Sequence, residues 1–141
     1  MVTLDRQSKS EIVDVITKAE SFTSGEIRVY LKRRCGSDIL EEARRVFRRL
    51  GMHRTERRNG VLIFVALSSR RFAVLGDKAI HGRVGDEFWG RIRDIMSDYF
   101  SKGLIKEGIV SGVLAAGEEL KEYFPVRSGD KNELSDSVTE E

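Results

Sequence analysis

The segment from Asn59 to Asp77 constrains this chain more than any other. An Asn-Gly pair leads into seven consecutive apolar residues, Val61 to Leu67. Ser68-Ser69 interrupts the run, and a second apolar segment follows and ends at Gly76. Among the first set, Val61, Ile63, Phe64 and Val65 favour extended backbone, and an unbroken apolar strand must be covered on both of its faces. The segment therefore predicts two neighbouring strands, about 60–67 and 70–76, joined as a hairpin across Ser68-Ser69 and lying in a sheet with helices on either side.

Periodicity supplies those helices. Ser8-x-x-Glu11 has the spacing of a capping box, and Ile12, Val15, Ile16 and Ala19 then form one apolar face that ends near Ser21. Residues 26–32 alternate as a strand, with Ile27, Val29 and Leu31 on one side and Arg28, Tyr30 and Lys32 on the other. A second helix starts near Ser37-Asp38, turns Ile39, Ala43, Val46, Phe47 and Leu50 inward, and stops at Gly51. Phe88, Trp89, Ile92, Ile95, Met96, Tyr99 and Phe100 mark a third helix, broken by Gly103. A last one, about 104–122, carries Ile105, Ile109, Val113, Ala116 and Leu120, with Gly108 and Gly112 allowing close approach to a neighbour. The order α, β, α, β, β, α, α predicts an α/β fold: a three-layer α/β/α sandwich whose small mixed sheet combines a β-α-β crossover with a β-hairpin.

A chain of 141 residues suffices for one core. The expected division is a single domain over 1–126 and a disordered acidic tail over 127–141. The tail has two basic against five acidic side chains, follows the only proline, Pro125, and lacks periodicity. The body then holds +5 of the overall +2. A single cysteine, Cys35, excludes an internal disulfide framework and any multi-cysteine zinc site. No apolar run is long enough to span a bilayer, and none follows the N-terminus as in an export signal. The expectation is a cytoplasmic protein if the chain is complete, and an exported or membrane-anchored one if it is truncated.

The topology also predicts where polar chemistry gathers. Parallel first and second strands begin on one edge of the sheet, and the antiparallel third strand ends there. That rim collects Thr23, Ser24, Glu26, Asn59, Asp77, His81 and Asp86, groups able to bind a hard cation or polarise a phosphate ester. Six of them have a plainer role: Thr23 and Ser24 as the end of the first helix, Asn59 as turn residue, Asp77 as turn chemistry, Asp86 as helix N-cap, His81 as a solvated loop residue. A second candidate surface is basic. Residues 32–58 hold ten cations against four carboxylates, and Arg45 and Arg49 are spaced to lie on one side of the second helix. Such a helix suits a polyanion, but no aromatic residues interleave with its arginines, so a solvated surface is expected instead. A catalytic cysteine is not expected at Cys35, since neither His53 nor His81 is near it in sequence, and no phosphate-binding loop, nucleophile elbow or zinc spacing occurs.

Thr23-Ser24-Gly25-Glu26-Ile27-Arg28-Val29, the helix 39–50, Asn59-Gly60-Val61-Leu62-Ile63, Arg70-Arg71, Gly76-Asp77 and the helix 84–100 together resemble the TPM domain family, over roughly residues 8–124. That family takes its name from a thylakoid-lumen protein, a photosystem II repair protein and a receptor modulator. The resemblance implies an α/β/α sandwich. It also implies one of three roles that family members are given: acid phosphatase, calcium binding, or accessory and assembly factor. Under the phosphatase reading Asp77, His81 and Asp86 supply acid/base or metal contacts, and Arg83 neutralises phosphate charge. Under the calcium reading Asn59, Asp77 and Asp86 are the ligands. The family pattern has an Asp more often than Asn at position 59 and a glutamate in the loop after the third strand. Two lost carboxylates predict weak calcium binding. The function expected from all this is a non-catalytic accessory or interaction module acting through the rim, with a protein partner that the sequence does not identify. A weak, metal-assisted phosphomonoesterase acting on a phosphate-bearing small molecule is the alternative.

Overall fold

The structure is a computed structural model, and it describes residues 4–55, 57–126 and 138–140, the side chains of His81, Thr139 and Glu140 excepted. Helix α1 (Arg6–Glu20) starts on Asp5, whose carboxylate accepts from the Ser8 N–H at 2.7 Å. That bond holds the Asp5 carboxyl below its ordinary pKa. The cap is thus three residues ahead of the Ser8 capping box read from the sequence. Asp is as good an N-cap as Ser, and starting at Asp5 adds most of a turn.

Strand β1 (Glu26–Lys32) follows, then α2 (Ile39–Arg49), capped by Asp38 through the Glu41 N–H at 3.1 Å. Gly51 takes the left-handed backbone beyond its end, and a 3-10 turn (Met52–Arg54) leads on toward β2 (Gly60–Ala66). Strand β3 (Arg71–Gly76), α3 (Lys78–His81), α4 (Asp86–Ser101) and α5 (Ile105–Tyr123) complete the body.

Strands β1 and β2 pair parallel in the register Glu26↔Gly60 to Lys32↔Ala66, and β2 pairs antiparallel with β3 from Val61↔Gly76 to Ala66↔Arg71. The result is the expected mixed three-stranded sheet. The tail expectation falls on residues 127–137 and 141, which lie outside the described residues, and on Val138–Glu140. Those three depart from it, forming a short strand β4 parallel to β1 and extending the sheet to the order β3-β2-β1-β4. β1 is otherwise an open edge whose backbone groups need partners.

Every residue of β2 is buried. Val61, Ile63 and Val65 join Ile27, Val29 and Leu31 against α1, α4 and α5, while Leu62, Phe64 and Ala66 join Tyr30 against α2 and Met52. The unbroken apolar run is thus a strand with a core on each face. Gly108 and Gly112 let α5 lie directly on Phe100 and Met96 of α4, as their spacing suggested.

The hairpin differs from the tight two-residue form. Ala66 and Arg71 are the last pair, so four residues connect the strands. Arg70 N–H donates to Leu67 O at 3.3 Å, which leaves Ser68 and Ser69 as the central residues of the turn, and Arg70 takes a left-handed φ of 55°. Ser-Ser lacks the positive φ values that a two-residue hairpin demands, and the left-handed residue is displaced to the next position.

Candidate functional site

The rim is assembled by the start of β1, the start of β2 and the end of β3. Thr23 is buried, and its hydroxyl donates to the carbonyl of Phe124 while accepting from Gly25 N–H at 3.0 Å. Ser24 N–H donates to the same carbonyl at 2.8 Å, and Thr23 bridges Pro125. The end of α5 is thereby fastened to the head of β1. Asn59 is 1% exposed; its amide Nδ2 donates to Ser24 Oγ at 3.3 Å, and its carbonyl accepts from Glu26 N–H at 3.4 Å. Glu26 is buried beside it, opposite Gly60.

Asn59 is not the turn residue the Asn-Gly pair suggested. The left-handed residue ahead of β2 is Arg58, with φ 52°. From there Arg58 Nε and Nη2 donate to Asp77 Oδ2 and Oδ1 at 2.7 and 2.9 Å, a two-pronged ion pair on a carboxylate that is 6% exposed. The hydrogen bond to Asp77 raises the Arg58 pKa beyond its ordinary value, so the guanidinium stays charged. Asp77 Oδ1 also caps α3 through Lys78 N–H at 2.7 Å, and Asp77 N–H donates to Gly60 O at 2.9 Å. A carboxylate buried this far needs both a charge partner and hydrogen bonds, and it has them. Arg58 thus ties together β2, the end of β3 and α3.

The segment after Asp77, expected as a loop, contains the short helix α3 because Asp77 supplies its cap. His81 is the last residue of α3, and its side chain lies outside the described residues. Arg83 reaches the same rim from the far side: Nη1 donates to Tyr123 O at 3.3 Å, and the guanidinium sits 5.4 Å from the Phe124 ring centre. Asp86 is exposed and stands in the first turn of α4; Gly85 is the N-cap, and no side chain caps that helix. The structure therefore brings Thr23, Ser24, Glu26, Asn59 and Asp77 together, with Arg83 at their border and no described contact from Asp86 to the group.

Arg45 and Arg49 lie elsewhere, on α2. Arg49 Nη2 donates to Tyr30 Oη at 2.6 Å with its guanidinium 5.7 Å from the ring, which makes it a clamp of α2 on the sheet. Arg45 is exposed. The sequence reading missed Arg58 as a rim residue, although the register contains the signal: pairing Val61 with Gly76 puts the residue before Asn59 within reach of Asp77.

A cation at Asn59, Asp77 and Asp86 fits this arrangement poorly. Both Asp77 oxygens face Arg58, and no group of three His, Cys, Asp or Glu able to hold a metal occurs among the described residues. No described helix is long and apolar enough to cross a membrane.

Comparisons with known proteins agree with this architecture. A family model described as the TPM domain matches residues 2–119. The solution structure of the BA42 protein from the psychrophilic bacterium Bizionia argentinensis is 38% identical, covers 99% of this chain and 97% of its own, and superimposes with a TM-score of 0.93. Two further structures share the fold at lower identity. The N-terminal domain of a P. gingivalis protein has 23% identity and a TM-score of 0.70, covering 86% of this chain and 78% of its own. The N-terminal domain of the cg2496 protein from Corynebacterium glutamicum has 11% and 0.67, covering 99% and 82%. The comparison with curated proteins returned no match.

Proposed function

The chain belongs to the TPM domain family, and from that premise we propose that it is a non-catalytic interaction module that meets a protein partner through the rim. The observation that carries this reading is the Arg58–Asp77 pair. Asp77, a buried carboxylate of the rim, has both oxygens engaged by a guanidinium and a helix cap, so it holds the edge in shape and is ill placed to serve as a general base or a metal ligand. Arg83, exposed at the border of this fixed scaffold, and the exposed Asp86 in the first turn of α4 are the groups a partner would meet.

The phosphomonoesterase reading has one observation in its favour: the guanidiniums of Arg58 and Arg83 stand at one edge, and arginine suits phosphate. An aryl-phosphate assay separates the two. We expect no turnover above background, and no difference between wild type and His81→Ala or Asp86→Asn. A wild-type rate that falls tenfold or more in either variant, the scale of general acid/base catalysis, would establish the enzyme instead.

The calcium reading has a separate expected outcome. A thermal-shift titration should show weak stabilisation at most, because a cation has to displace Arg58 from Asp77 and finds Asn59 in place of a carboxylate. Stabilisation saturating at micromolar calcium would show that Asp77 exchanges partners. An Arg58→Gln variant that binds calcium more tightly than wild type would locate the competition at this ion pair.

A further inference from the structure

Two non-glycine residues of the described chain hold a left-handed backbone, Arg58 and Arg70. Arg58 is repaid by Asp77. Arg70 has no polar side-chain partner among the described residues, yet it occupies a hairpin position where glycine carries no steric penalty. Strained backbone around a charged side chain without a structural partner points to a ligand.

Arg70 lines a cavity of about 540 Å³ at the opposite end of the sheet from the rim. This end lies beyond the carboxyl ends of the parallel strands β1 and β2, where open α/β sheets bind ligands by general rule. Its volume falls within the range of small-molecule sites. The apolar wall includes Leu67, Phe72, Phe100 and Ile105, and Phe72 and Phe100 meet edge to face with centroids 5.2 Å apart. Among the described residues no carboxylate lines it. Arg71 also lines the cavity, but its guanidinium is held by Gly36 O at 3.0 Å and Ser37 O at 3.4 Å. One available cation at the edge of an apolar chamber matches one negative charge on an apolar body.

We propose that the cavity between β3, α4 and α5 binds an amphipathic monocarboxylate, its carboxylate on Arg70 and its hydrocarbon or aryl body along Phe72 and Phe100. The site is independent of the rim and of the function assigned to it. A dianion such as a phosphate ester is disfavoured, because Arg71 is already committed to two carbonyls. Ser97, an exposed residue also on the lining, carries a hydroxyl of the kind a carboxylate accepts a hydrogen bond from.

The test is an amide-resolved NMR titration of the full chain with decanoate, kept below micelle-forming concentrations, with decylammonium as the cationic counterpart. Saturable shifts confined to residues 70–72 and 97–105 are expected with decanoate, and binding at least about tenfold weaker with decylammonium, the scale of a charge-assisted hydrogen bond. Arg70→Gly, which suits the left-handed position, should keep the fold with an equal or higher melting temperature and bind decanoate at least about tenfold more weakly. Arg70→Asn, also tolerant of that backbone, should behave in the same way. The proposal fails if decanoate produces no saturable shifts around the cavity. It fails equally if Arg70→Gly binds as tightly as wild type, or if decylammonium binds as well as decanoate.

Discussion

Replacing Phe64 with alanine is expected to destabilise the protein by about 3–5 kcal/mol, a large share of the roughly 5–15 kcal/mol that holds a domain of this kind together. Phe64 is 0% exposed at the centre of β2, and its ring stacks on Tyr30 with centroids 5.8 Å apart and planes 7° from parallel. That pair forms the floor on which α2 rests through Ala43, Val46 and Phe47. Neighbouring side chains are anchored by the sheet register and cannot collapse into the space left behind, so the cavity cost adds to the lost transfer energy. Urea unfolding should show a much lower midpoint with little change in slope. The exposed Phe22, replaced in parallel, should cost less than about 0.5 kcal/mol. A loss below about 1 kcal/mol at Phe64 would mean that α2 does not pack on this face as described.

Gly76→Ala is expected to cost about 1–3 kcal/mol or more, although it adds one methyl group. A Cβ at position 76 would lie 2.3 Å from Trp89 Cη2, 2.8 Å from Trp89 Cζ2 and 3.3 Å from Ile80 Cγ2. The indole is buried and meets Phe88 edge to face at 4.6 Å, so it moves only if α4 moves with it. Gly76 is also the residue before Asp77, which makes the rim the second casualty. The amide signals of Arg58, Asp77 and Lys78 should therefore shift together with those of Trp89. Two comparisons check the cause. Gly82→Ala, whose Cβ would meet nothing closer than 3.9 Å, should be nearly neutral. The Gly76→Ala/Trp89→Phe pair should lose less than the sum of its single changes, since the smaller ring vacates the contested space.

Much of the fold was readable because it follows from local patterns that burial then enforces. The apolar run of β2, the alternation of β1 and the 3–4 residue spacing of α4 each name a face or faces that must leave water, and the structure buries those faces. The points that escaped are places where two options are locally equivalent. Asp5 and Ser8 both suit an N-cap, and so do Gly85 and Asp86; the longer or better-packed helix decides, and neither is visible in a four-residue window. The left-handed residues are similar cases. Asn-Gly and Ser-Ser predict turns, yet the positive φ falls on Arg58 and Arg70, because strand register fixes which residue must turn the chain.

The candidate site divides along the same line. By itself the sequence determined that polar groups at the starts of β1 and β2 and at the end of β3 share one edge, since parallel pairing followed by a hairpin allows no other arrangement. It also placed Asn rather than a carboxylate at position 59 and no glutamate between Gly76 and Gly82. Only the tertiary structure decided what those groups do for one another. Arg58 closes on Asp77, Asn59 on Ser24, and Thr23 and Ser24 on the carbonyl of Phe124 about a hundred residues away. It also decided that Arg49 faces Tyr30 and that Arg70 lines an apolar cavity at the far end of the sheet. The physical reason is reach: hydrophobic periodicity records which face of an element is buried, whereas a hydrogen bond or an ion pair depends on positions to within a fraction of an ångström, set by the packing of elements distant in sequence.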